Sequence, residues 1–189
     1  MNGYIKSQTV MIYVCLALAI GFASGIALTI YKLDSNRSFT HQHTQQQQQG
    51  DKDGMLAALK DEVERNPDNA GAWVQLGHMY FDRDEKKKAI HAYERSLVLS
   101  PDNTNVLTDL GIMYRRSGDP KKAVELFERV TQLDPQQENA RFNKGIVLLH
   151  DLKDEEGAIK TWEGLLEINP VAMAPNGQSV DELIQQYKE

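Results

Sequence analysis

The chain has 189 residues, a formal net charge of −6, 41% hydrophobic residues and one cysteine, which excludes a disulfide framework within the chain. The charge is uneven, because residues 51–189 hold 18 Lys and Arg against 26 Asp and Glu, a net of −8. An acidic domain of this kind argues against nucleic acid as a partner.

Residues 1–9 are a short leader carrying Lys6, and Val10 to Ile30 is a run of 21 residues without a charge. As a helix that run spans about 32 Å, enough for a bilayer core, so residues 10–31 are expected to be a transmembrane anchor. Tyr4, Tyr13 and Tyr31 fall toward its ends, where aromatic belts sit. Ala23-Ser24-Gly25 also reads as a cleavage site of a secretory signal, but the apolar run continues through Ile30, which favours an uncleaved anchor. Cys15 lacks the small-residue context of a lipoprotein signal. Lys6 before the span and Lys32 and Arg37 after it do not fix its orientation, whereas the short leader favours export of everything that follows. Ala17, Gly21, Gly25 and Thr29 form a small-residue seam with a spacing of four, a way for membrane helices to self-associate or to meet a membrane partner. The same residues are also common in any membrane helix.

Residues 32–54 are polar, Gln-rich and nearly without apolar side chains, so they are expected to be a flexible linker. A coil of that length reaches about 25–30 Å. His41-x-His43 has no Cys or acidic ligand beside it, and no metal site is expected there.

The rest of the chain repeats itself. Trp73, Leu76, Gly77, Tyr80, Ala89, Tyr93 and Pro101 are followed, each 34 residues on, by Leu107, Leu110, Gly111, Tyr114, Ala123, Phe127 and Pro135. A third copy runs Gly145, Leu148, Ala158, Trp162 and Pro170. Within each copy the apolar residues recur at helical spacing on two segments split by a polar break, which predicts two amphipathic helices closed by proline. Asp119-Pro120 reads as an N-cap followed by proline at the first helical position, with Gly118 ending the preceding helix.

WVQLGHMY, AIHAY and Pro101, then LTDLGIMY, AVELF and Pro135, resemble the tetratricopeptide repeat (TPR) family. The resemblance implies an all-α fold, three TPR helix pairs stacked as a short right-handed solenoid with capping helices. The expected parts are a leading helix at 55–67, repeats at 70–103, 104–137 and 138–172, and a C-terminal helix at 179–189. Copy three departs from the pattern, with Arg141 and Lys144 at apolar places and one extra residue between Leu148 and Ala158. Either an altered helix angle or a longer turn accommodates it. Ser179 to Lys188 offers a serine cap and an apolar face of Val180, Leu183, Ile184 and Tyr187.

The resemblance also implies a concave peptide-binding groove lined by the first helix of each pair. Its residues are expected to be Val74, His78 and Phe81, then Thr108, Ile112 and Arg115, then Phe142, Ile146 and Leu149, with Asp109 and Asn143 at the edge. Several of them, chiefly Ile146 and Leu149, equally suit packing against the next helix. This mainly apolar stripe suits an amphipathic helix or an apolar extended peptide. Some TPR domains hold a C-terminal carboxylate with a Lys/Asn clamp; Val74, His78, Thr108 and Ile112 stand at those places, which disfavours one here. The basic pairs Arg115-Arg116 and Lys121-Lys122 read as solvated helix ends.

No Gly-rich phosphate loop, HExxH, CxxC or CxxCH motif occurs, and His78, His91 and His150 have no evident nucleophile. Neither enzyme activity nor a cofactor is expected. An anchor followed by a small acidic TPR domain, closing with AIKTWEGLLEINP and SVDELIQQ, resembles the TPR proteins of bacterial c-type cytochrome maturation. That implies an assembly factor or chaperone in the inner membrane, its repeats in the periplasm, holding an apocytochrome c or a haem-lyase subunit. The alternative is a scaffold that self-associates through the seam at Ala17, Gly21 and Gly25 to build a membrane or organelle complex.

Overall fold

The computed structural model describes residues 51–188. Residues 51–65 are helical (α1). They are followed by α2 (Ala70–Asp82), α3 (Lys86–Leu99), α4 (Thr104–Ser117), α5 (Pro120–Leu133), α6 (Glu138–His150), α7 (Glu155–Leu166) and α8 (Val180–Gln186). The only β feature among the described residues is an isolated antiparallel bridge between Met173 and Ser179. No described helix is long and apolar enough to cross a membrane. The Val10–Ile30 run, the seam at Ala17, Gly21 and Gly25, and His41-x-His43 lie outside the described residues. Helix α1 takes in residues 51–54, which the sequence reading left in the linker.

Short polar side chains start these helices. Asn69 and Asn103, one repeat apart, accept from the backbone N–H of Ala72 and Val106. Asp119, Asp154 and Ser179 do the same for α5, α7 and α8, each contributing about 1 kcal/mol. Copy three has Gln137 in the asparagine's place, and it makes no capping bond to α6.

The turn inside each pair needs one left-handed residue, found at Asp84 (φ 54°), Gly118 (φ 90°) and Lys153 (φ 60°). Only the middle copy uses glycine there, the residue that adopts this conformation without strain. The extra residue of copy three lies in this turn, which runs from Asp151 to Asp154, while α6 and α7 keep the pairing of the other repeats. Of the two accommodations expected, the longer turn is the one seen.

Each helix packs on the next in the chain from α2 to α8, and the first helices α4 and α6 also touch. Glycines at equivalent places bring the paired helices together: a Cβ on Gly77, Gly111 or Gly145 would lie 2.4, 2.6 or 2.2 Å from the rings of Tyr93, Phe127 and Trp162. These three aromatics are fully buried and form the spine of the stack. At the C-terminal end α8 buries Val180 and Ile184 against Leu148, Leu149, Trp162 and Leu165. It thus supplies the apolar face the sequence assigned to it.

Tyr93 is the one ring of the three that carries a hydroxyl, and that oxygen is buried without a hydrogen-bond partner. Burial pushes its pKa up, with Asp109 and Asp82 adding to the effect. Copy two solves the same position with Phe127. Tyr93→Phe is therefore expected to stabilise the fold by about 1 kcal/mol, by relieving an unsatisfied polar group. Urea unfolding at fixed slope measures this, and a loss of stability would mean that the hydroxyl has a partner in solution.

Candidate peptide-binding groove

The first helices of successive pairs are tied to one another by polar side chains. His78 Nε2 on α2 lies 3.1 Å from Asp109 Oδ2 on α4, and Arg115 Nε on α4 donates to Asp151 Oδ2 at the end of α6. Beside the second tie lies a cavity of about 470 Å³ lined by Phe81, Ile112, Arg115, Arg116, Asn143 and Asp151. Phe81 forms one apolar wall, with the Arg116 guanidinium 4.9 Å from its ring centre, a cation–π arrangement. Asn143 donates to the Asn139 carbonyl, which holds its amide in place.

Of the residues expected in the groove, Phe81, Ile112, Arg115 and Asn143 come together in this cavity, while His78 and Asp109 pair with each other outside its lining. The others are placed differently. Thr108 is 7% exposed, and its hydroxyl donates to the Thr104 carbonyl. Leu149 is 8% exposed, covered within the cluster that α8 closes. Neither has surface to offer a ligand, because the stack supplies each with a neighbour. Val74 packs against the main core, and Ile146 against the C-terminal cluster. Phe142 stacks on Trp162 at 6.1 Å between ring centres, and its carbonyl accepts from Trp162 Nε1. Arg116 and Asp151 are the cavity residues that sequence reading missed. Arg116 had been read as a solvated helix end, and Asp151 lies in the turn lengthened by the extra residue.

Burial raises the Asp109 pKa, and the nearby His78 only partly opposes this. A carboxyl whose folded pKa exceeds its unfolded value binds protons more readily in the folded state, so its ionisation costs stability as pH rises through the acidic range. Asp109→Asn is expected to keep the contact to His78 while gaining up to about 0.5 kcal/mol at neutral pH. The gain should vanish at pH values below the ordinary carboxylate range, as paired melts at several pH values would show; a loss at neutral pH would mean the ion pair outweighs burial.

The family described as the cytochrome c-type biogenesis protein H TPR domain matches residues 33–172. No curated relative matches the chain. Among solved structures, the crystal structure of MamA superposes with a TM-score of 0.66 at 22% identity, covering 75% of this chain and 81% of that one. The first TPR of Spaghetti (RPAP3), bound to the HSP90 peptide SRMEEVD, gives 0.55 at 21% identity over 63% of this chain and 90% of that one. The Sgt2 TPR domain from Aspergillus fumigatus gives 0.54 at 27% identity over 63% and 76%. These likenesses establish the TPR fold.

Proposed function

Because the chain belongs to the family of cytochrome c-type biogenesis protein H TPR domains, we propose that it is a non-catalytic assembly factor that holds a protein client in the groove of its first helices. The client is an apocytochrome c or a haem-lyase subunit, presented as an apolar or amphipathic helix. The observation that carries this reading is the cavity between α2, α4 and α6, where the Phe81 and Ile112 side chains meet two arginines, Asn143 and Asp151. An amphipathic helix offers apolar anchors for the first two and polar edges for the rest. The solved RPAP3 repeat with its HSP90 peptide supports a peptide as ligand of this fold. The uncharged Val10–Ile30 run supports a membrane anchor, and the family's role in cytochrome c biogenesis favours repeats on the exported side of a bacterial inner membrane.

The test is calorimetric titration of the full chain with a synthetic C-terminal helix of an apocytochrome c. Saturable binding supports the reading, and no binding of this helix or of haem-lyase segments sinks it. A scaffold that self-associates through the Ala17, Gly21 and Gly25 seam is the second reading, and sedimentation of the full chain against a Gly21→Leu variant separates the two.

A further inference from the structure

A second cavity lies away from the client groove, between α5 and α7 over α6, and the repeat register makes its chemistry unusual. The equivalent place in the first repeat, between α1 and α3 over α2, is a cavity of about 520 Å³ lined by Val63, Trp73, Leu76, Tyr80 and Ala92 with a charged edge. In the third repeat the cavity is about 410 Å³, and its lining includes Thr131, Arg141, Lys144, Lys160 and Thr161. Arg141 stands where the other copies have Trp73 and Leu107, and Lys144 where they have Leu76 and Leu110. Leu76, Leu107 and Leu110 are buried. Two cations thus replace the apolar floor of the groove.

The same register explains why this groove is open at one end. Gly164 takes the place of Arg95, whose guanidinium lies 5.7 Å from the Trp73 ring centre, and of Arg129, which donates to the Pro101 carbonyl. A Cβ on Gly164 would meet nothing within 4 Å.

Both acids of the lining are already engaged. Glu128 accepts from Lys144 Nζ at 2.8 Å, and Asp154 caps α7 through the Gly157 N–H. Two cations are not so matched. Arg141 donates through Nη2 to the Pro135 carbonyl, but its Nε is buried without a hydrogen-bond partner. Lys160 has no ion pair among the described residues. A buried charged donor without an acceptor is unfavourable, so a small turn of the Arg141 guanidinium that brings Nε to a carboxylate, which offers acceptors only, is favoured.

We propose that this pocket binds a carboxylate from an acidic segment of a partner protein, with Arg141 and Lys160 as its donors. Three cations against two carboxylates leave the lining with a surplus of one positive charge, which matches a single carboxylate. A phosphate dianion would face Glu128 and Asp154 with a charge left over. The proposal does not depend on what fills the cavity beside Phe81.

The test is a titration of the full chain with a blocked Ala-Ala-Glu-Ala peptide, its Gln counterpart and inorganic phosphate, followed through the Arg141 Nε–Hε signal by NMR. Saturable binding of the glutamate peptide alone is expected, weakened about tenfold in Lys160→Gln and abolished in Arg141→Leu. Arg141→Leu restores the residue copy two has at this place, so its melting temperature should not fall, and loss of binding cannot then be put down to unfolding. The proposal is overturned by absent binding in the millimolar range, by equal binding of the glutamine peptide or of phosphate, or by undiminished binding in Arg141→Leu.

Discussion

Gly111→Ala should destabilise the fold by about 2–3 kcal/mol, although it adds a single methyl group to a helix that would otherwise favour alanine by about 1 kcal/mol. The added Cβ would sit 2.6 and 2.9 Å from Cε1 and Cζ of Phe127. Real contacts of that kind do not occur, so the ring or the helix must shift. Phe127 is fully buried at the centre of the stack, and α5 is held on its other side by α6. Close-packed interiors resist such shifts. Urea denaturation of the single variant measures the cost. Phe127→Leu alone should also destabilise, by leaving space where the ring was. The double variant should lose less than the sum of the two, since the smaller side chain makes room for the methyl group. Simple additivity would show that the close approach of α4 and α5 is not set by this pair. An effect of Gly111→Ala below about 0.5 kcal/mol would show that the ring relaxes freely.

That glycine was legible from the sequence because repetition fixes register. Gly77, Gly111 and Gly145 recur at one place of the period, which marks a close approach, but that the rings of Tyr93, Phe127 and Trp162 lie opposite them is seen only in the structure. Helix ends were legible for a similar reason: Asp119-Pro120 declares a cap, and the structure shows Asp119 accepting from the Lys122 N–H. The groove was less legible. Its stripe was taken from one helix face at a time, whereas burial depends on what lies beside that face. Leu149 has a neighbour because α8 closes the end of the stack, and Phe142 has one because copy three carries Trp162 where copy two has the smaller Phe127. The ties from His78 to Asp109 and from Arg115 to Asp151 join residues 31 and 36 apart. No fixed period predicts such pairs, since they depend on how far one helix is turned against the next. Departures from the period carried the opposite kind of information. Arg141 and Lys144 looked like decay of the repeat in the sequence, and the structure turns them into the floor of a polar pocket.

The proposed client groove yields the other large effect, and of the apolar residues the sequence places in its stripe, Phe81 and Ile112 line the cavity. Phe81→Ala should weaken binding of an apocytochrome C-terminal helix by about 2 kcal/mol, roughly thirtyfold, and should also lower stability, because the ring packs against the core as well as lining the cavity. The side chain is only partly buried, lies at the wall of the cavity and packs under the Arg116 guanidinium. Removing it deletes apolar surface that a ligand would cover and, with it, a contact to the core. Ile112→Ala should likewise act on both quantities, because Ile112 too lines the cavity and packs against the core. Phe142→Ala should affect stability alone. Its ring stacks on Trp162 and packs against the C-terminal cluster, so its loss should lower the melting temperature and leave the affinity of the folded protein unchanged. Calorimetry on Phe81→Ala and Phe142→Ala, each paired with a thermal melt, separates the roles. Unchanged affinity in Phe81→Ala would exclude this cavity as the client's seat. Weakened binding in a fully folded Phe142→Ala would extend the groove along α6 beyond Asn143, over more of the stripe that the sequence suggests.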